Sequence, residues 1–153
     1  MPVTIRAATP ADLDVVMRHR RSMFADMGNR ERVDLDAMDA SSRPLFARAL
    51  GEGSYRGWLA QEHDGRVVAG GGIILLPYHS SPRDPSPQRA WIVNMYTEPE
   101  HRRQGLARRL MDEMIAWCRG RRMTTVYLHA SDEGRPLYES LGFTPTNEMR
   151  LRL

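Results

Sequence analysis

The sequence predicts a single α/β domain, a mixed sheet flanked by helices, and three observations carry that reading. The 153 residues suit one domain of ordinary size and are too few for two well-packed ones. Apolar residues make up 41% and charged residues 27%, the balance of a chain that buries a core. Segments of period-two hydrophobicity alternate with helical ones in the order strand, two helices, three strands, helix, strand, helix, strand. This amounts to about six to seven strands and about four helices, with no internal repeat and no linker, so one unit covers residues 1–153.

Val3 to Ala8 alternates as a strand. Thr9-Pro10-Ala11-Asp12 supplies a capping hydroxyl, a first-turn proline and an acid just inside, which opens a helix. Leu13, Val16, Met17, Met23, Phe24 and Met27 carry the helical spacing to a stop at Gly28, and Asn29 to Asp34 is polar loop. A second helical stretch covers about Leu35 to Leu50, with a break expected before Pro44 because proline removes an N–H and crowds the preceding turn. Tyr55 to Glu62 and Val67 to Leu76 read as strands joined by the turn His63-Asp64-Gly65-Arg66. Pro77 to Pro87, rich in proline and serine, is loop. Arg89 to Thr97 is a buried strand, and Gln104 to Arg119 a helix amphipathic through Leu106, Leu110, Met114 and Trp117. Thr124 to Ala130 is a fifth strand, Gly134 to Leu141 a short helix, and Phe143 to Leu153 a final extended segment.

Several function classes fall away by composition. All 22 basic residues are arginine. A Walker-type phosphate loop, a protein kinase and a pyridoxal phosphate enzyme each require a lysine, so none of the three fits. The single cysteine, Cys118, excludes a disulfide framework and a multi-thiolate site. The histidines His19, His63, His79, His101 and His129 are scattered, so no metal is expected. The longest mostly apolar stretch, Val67 to Tyr78, is interrupted by Gly70-Gly71-Gly72 and is too short to span a bilayer. The first residues lack an apolar signal core. No membrane association is expected, and the cytoplasm is the expected location.

The net charge is +3, but it is uneven. Between Arg102 and Arg122 seven arginines face only Asp112 and Glu113, which suggests either an anionic partner or a solvated helix face. What surrounds the first of these arginines favours the partner. In Trp91 to Leu110 a strand leads into a turn, and Arg102-x-x-Gly105-x-Ala107 falls where a helix starts. A first helical turn leaves backbone N–H groups without partners and carries partial positive charge. Small residues there let a pyrophosphate approach the backbone closely, and Arg103 and Arg108 flank the turn.

Those residues resemble the main motif of the GNAT superfamily of acetyl-CoA-dependent N-acetyltransferases, Arg/Gln-x-x-Gly-x-Gly/Ala after a strand. Downstream, Leu137-Tyr138-Glu139-Ser140-Leu141-Gly142-Phe143 looks like that superfamily's C-terminal signature. The likeness is strong from about Arg89 to Phe143 and only architectural before that. It implies a mostly antiparallel sheet and acetyl-CoA as co-substrate. Backbone groups of Met95, Tyr96 and Thr97 would pair with the pantetheine amides as an added strand does, and one N–H would hold the developing oxyanion. After Arg102, the N–H groups of Arg103, Gln104, Gly105, Leu106, Ala107 and Arg108 would hold the pyrophosphate. Tyr138 would protonate the leaving thiolate. Ser131 stands where members often carry an asparagine that contacts the pantetheine arm. The strand offers no glutamate as general base, which leaves Glu98, His79, His129 or a water chain.

The function so implied is direct transfer of an acetyl group to a primary amine on a small molecule, a peptide or a protein terminus, without an acyl-enzyme. Asp26, Glu31, Asp34 and Asp36 are candidates to attract a cationic amine. A homodimer through the C-terminal strand is compatible with the resemblance. The alternatives are a CoA-binding sensor of the same fold without turnover and, well behind it, a nucleic-acid binder using Arg102 to Arg122. Nucleic acid is not expected, since glycine and alanine occupy the positions where reading side chains would stand.

Overall fold

In the computed structural model, which describes residues 2–27 and 34–153, five strands form one sheet in the order β1-β2-β3-β4-β5. β1 (Val3–Ala7), β2 (Tyr55–Glu62), β3 (Val67–Pro77) and β4 (Gln88–Thr97) are successive antiparallel neighbours, and β5 (Tyr127–Leu128) joins β4 in parallel. A single 3-10 turn at Pro10–Asp12 precedes α1 (Leu13–Asp26). The other helices are α2 (Leu35–Glu52), α3 (Leu106–Gly120) and α4 (Arg135–Ser140).

The helix starts follow their local chemistry. The Asp12 carboxylate accepts from Thr9 N at 2.8 Å and from both outer nitrogens of Arg6 at 2.9 Å, which fixes the turn into α1. Asp34 caps α2 by accepting from Ala37 N at 2.9 Å, and Gly53, left-handed at φ 85°, closes that helix.

Helices cover both faces of the sheet. On one face α3 buries Leu106, Leu110, Met111, Met114 and Cys118 against Trp58, Ala60, Val68, Ile73 and Ile92, and Leu137, Tyr138 and Leu141 around α4 pack on the same cluster. On the other face α1 and α2 contribute Val16, Met17, Phe46, Ala49 and Leu50, packed with Tyr55, Ile74, Trp91 and Val93.

Three expectations are corrected. α2 continues unbroken through Pro44. Pro44 and Ala40, whose carbonyl loses its partner there, are both exposed, so water replaces the missing bond while Phe46, Ala49 and Leu50 hold the opposite side of the helix down. The fifth strand is only two residues long rather than Thr124 to Ala130. The extended segment expected at Phe143 to Leu153 forms no strand, so the sheet has five strands among the described residues and not six to seven. Its alternating Met149 and Leu151 are 98% and 81% exposed. A period-two pattern makes a strand only where a sheet edge and an apolar face receive it, and this segment meets neither.

Candidate functional site

The site begins where two strands part. β4 and β5 pair only at Trp91–Tyr127 and Ile92–Leu128. From Val93 to Thr97 the β5-facing edge of β4 therefore has no strand beside it among the described residues. The other edge keeps its partner, but with a bulge: Gly70 pairs with Tyr96 and Gly72 with Val93, so Asn94 and Met95 together face Gly71. Asn94 takes the left-handed angle φ 62°. Glycine opposite the bulge is a steric requirement, because a Cβ at Gly71 would lie 2.3 Å from the Met95 sulfur. A bare run of backbone N–H and C=O groups of this kind can pair with an extended chain of amides.

The same strand runs directly into the turn before α3. None of the N–H groups from Arg103 to Arg108 donates to an acceptor among the described residues; the first helical bond is Arg109 N to Gly105 O, 3.1 Å. Arg103 (φ 62°) and Gly105 (φ 78°) are both left-handed and curl the chain into a cup, while a Cβ placed on Gly105 would meet nothing within 4 Å. Gly105 is therefore not serving close helix–strand packing; it faces open space. Unpaired N–H groups, a helix N-terminus and an uncrowded approach together suit an anion.

Side chains brace this cup. Arg102 donates from Nε to Thr97 O at 3.0 Å and pairs with Asp26 at 2.5 Å, tying the turn to the end of α1. Gln104 Nε2 donates to Glu100 O at 3.3 Å. Arg108 donates to Ser140 Oγ at 2.6 Å, which in turn donates to Leu137 O at 2.6 Å, so the cup is linked to α4. Arg103 has no side-chain partner among the described residues and is exposed.

Tyr138, on α4, packs against the α3-side core and edge-on to Phe143 at 6.0 Å. Burial pushes its phenol up from 10.0, so it keeps its proton throughout the neutral range. Ser131 Oγ accepts from Gly134 N at 3.1 Å and helps start α4. Glu98 is ion-paired with Arg18 and accepts from Tyr96 Oη at 3.3 Å; although burial opposes it, the Arg18 contact holds the carboxyl below its usual range, which makes it a weak base. His129 stacks on Trp91 (4.7 Å) and His79 on Tyr78 (4.4 Å). Cys118 is buried, and burial raises its thiol, so it is a poor nucleophile. Among the described residues no group of three His, Cys, Asp or Glu side chains is placed to hold a metal ion, and no helix is long and apolar enough to cross a membrane.

Three residues escaped the sequence reading of the site. Asn94 Nδ2 donates to the buried Tyr55 Oη at 3.3 Å, and Arg20 Nη1 donates to Asn94 Oδ1 at 3.0 Å. Burial pushes the Tyr55 phenol up to about 12. In the sequence Asn94, beside Met95, reads as a residue that satisfies a strand bulge, and Arg20 stands with Arg18 and Arg21 on the first helix with nothing local to single it out. Of the acids expected to attract an amine, Asp26 pairs with Arg102, Asp34 caps α2 and Asp36 pairs with Arg21 at 2.9 Å; Glu31 lies outside the described residues.

Residues 17–143 match the sequence profile of the Acetyltransferase (GNAT) family. The chain belongs to that family. Its GNAT fold is shared along almost the whole length with a GCN5-related N-acetyltransferase from Ralstonia eutropha JMP134, which is 34% identical, has a TM-score of 0.92 and aligns over 99% of both chains. The crystal structure of a predicted acetyltransferase with acetyl-CoA from Clostridium acetobutylicum is 26% identical with a TM-score of 0.87, over 99% of this chain and 96% of that one. A glucosamine-6-phosphate N-acetyltransferase from Arabidopsis thaliana shares the fold at 15% identity and TM-score 0.70, over 100% and 99% of the two chains. No curated protein sequence matches this one significantly.

Proposed function

We propose that this GNAT acetyltransferase is an N-acetyltransferase that moves the acetyl group of acetyl-CoA to a primary amine by direct attack. The observation that carries the reading is continuity: the open edge of β4 runs without interruption into the cup of unpaired N–H groups at Arg103 to Arg108. An amide arm followed by a diphosphate needs that sequence of partners. Met95, Tyr96 and Thr97 would bind the arm through their backbone, and an N–H of this edge would polarise the thioester carbonyl. Gly105 and Ala107 leave the diphosphate room, and Arg103 and Arg108 add charge around it. Ser131 would contact the arm from the opposite side. Tyr138, still protonated at neutral pH, would supply the proton for the departing thiolate. The reading requires no nucleophilic side chain, in keeping with a buried Cys118.

The cytoplasm suits a chain whose one thiol is free. The exposed alternation at Met149 and Leu151 would find a face in a second copy of the chain, which makes a homodimer through the C-terminal segment part of this proposal.

The test is thiol release from acetyl-CoA over a panel of amines, with Tyr138→Phe beside the parent protein. Loss of the phenolic proton should lower kcat roughly a hundredfold while calorimetry with CoA gives an unchanged Kd. An unchanged kcat removes Tyr138 from the chemistry. Tight CoA binding with no turnover on any amine supports the sensor instead, and no binding at all overturns both.

A further inference from the structure

Around the first two helices most acids have a cationic partner. Arg102 takes Asp26, Arg21 takes Asp36 and Asp39, and Arg18 takes Glu98. Two enclosed polar atoms there have no hydrogen-bond partner, Asp39 Oδ1 and Arg20 Nε, and the cation is the group with the more unused capacity. Arg20, partly buried on α1, donates one hydrogen bond among the described residues, from Nη1 to Asn94 Oδ1. Its Nε is enclosed and has no acceptor. A guanidinium carries five N–H donors and accepts nothing, and enclosing one with so few partners is costly.

Its surroundings hold it in place without using those donors. The guanidinium carbon lies 5.1 Å from the Phe24 ring centre and 5.4 Å from that of Phe46, so aromatic faces support the charge. Asp39 acts on it electrostatically, but its Oδ2 is taken by Arg21 at 2.6 Å, its enclosed Oδ1 has no hydrogen-bond partner, and no ion pair joins it to Arg20 among the described residues. The position is also specific. Asn94 lies in the bulge with Met95, on the open edge of β4 that begins at Val93, so the under-bonded charge sits beside the point at which the acetyl group would be delivered.

We propose that Arg20 binds an oxyanion, a carboxylate or a phosphate, on the amine acceptor, so that this enzyme's acceptors are amines carrying a negatively charged group. The proposal rests on the acetyltransferase reading and reverses the expectation that acids select a cationic amine. A purely structural Arg20, needed to hold Asn94, would use one N–H. A forked donor set matches the two oxygens of a carboxylate or the edge of a phosphate.

The experiment compares paired acceptors in the full-length protein: L-amino acids against their amides, and an amino-sugar phosphate against the unphosphorylated amino sugar. The first pair reads a carboxylate and the second a phosphate. With the parent protein the anionic member of at least one pair should be favoured about tenfold or more in kcat/KM, through KM. In Arg20→Gln that ratio should fall towards one while the Kd for acetyl-CoA stays put, and Arg20→Lys should recover part of it. A lost fold is excluded by comparing melting curves, and Arg20→Lys serves if Arg20→Gln does not fold. Equal use of charged and neutral acceptors by the parent, or a ratio that Arg20→Gln leaves intact, overturns the proposal while leaving acetyl transfer standing. A parent that fails to bind acetyl-CoA overturns the acetyltransferase reading and this one with it.

Discussion

Gly105 holds a backbone angle that side chains resist and faces space that a ligand would need, so two effects of replacing it can be separated. An L-residue in the left-handed region costs about 1–2 kcal/mol. Gly53 provides the control: it is also left-handed, at φ 85°, and also faces nothing within 4 Å, but it closes α2 rather than opening α3. Gly105→Val and Gly53→Val should lose similar stability in urea melts, whereas only Gly105→Val should weaken acetyl-CoA binding, at least tenfold by calorimetry. Equal affinities in the two variants would show that the cup is not where the diphosphate sits. Gly70, Gly71 and Gly72 work differently. A Cβ on each would run into His19, Met95 or Tyr55 respectively, at 2.9 Å or closer, so β3 is stripped to backbone where α1, the bulge and β2 need the room.

At the scale of elements, α2 is the segment where the chain departs furthest from its local preference. Pro44 lies inside an 18-residue helix, with its missing bond exposed to water. Pro44→Ala restores the bond and also frees the unfolded chain, so the net expected gain is about 2 kcal/mol, read as a rise in Tm of about 5 °C. No gain would mean that the helix is already distorted around the proline. What was legible in the sequence follows the same line. Strands β1 to β4, α3 and the cup at Gly105 could be read because periodicity, caps and a left-handed glycine are local properties. The continuity of α2 could not be, because Phe46, Ala49 and Leu50 hold the helix through contacts distant in sequence. The failed strand at the C-terminus shows the converse, since Met149, Leu151 and Leu153 alternate correctly and still find no edge. Arg20 was illegible for a third reason: its meaning depends on Asn94, 74 residues away.

For the whole molecule, the buried titratable groups set a window of stability. His19, 1% exposed beside Arg18, Glu98 and Tyr96, is lowered from 6.5 to about 4, chiefly by burial. Between those values the unfolded chain takes up a proton that the folded one refuses, so stability falls as pH drops from about 6.5 to 4. Asp12, lowered to about 2 mainly by its Arg6 hydrogen bonds, adds a second loss from about 4 downwards. On the alkaline side Cys118 and Tyr55 keep protons that the unfolded chain releases from about 9 and 10, so stability falls again. Urea midpoints should be flat between about pH 7 and 9, and His19→Gln should remove the first acidic step but not the second. The lysine-free composition has its own effect at this scale: no side-chain amine of the chain can compete for an acetyl group. The parting of β4 from β5 has one more. A hold made of main-chain groups is passed on with the strand itself and does not depend on which side chains the strand carries. Alanines placed one at a time at 96 and 97 should leave acetyl-CoA affinity nearly untouched, while a proline at either place, which deletes the N–H, should weaken it. Heredity of this kind would let the lineage rewrite its acceptor preferences while never relearning how to grasp its donor.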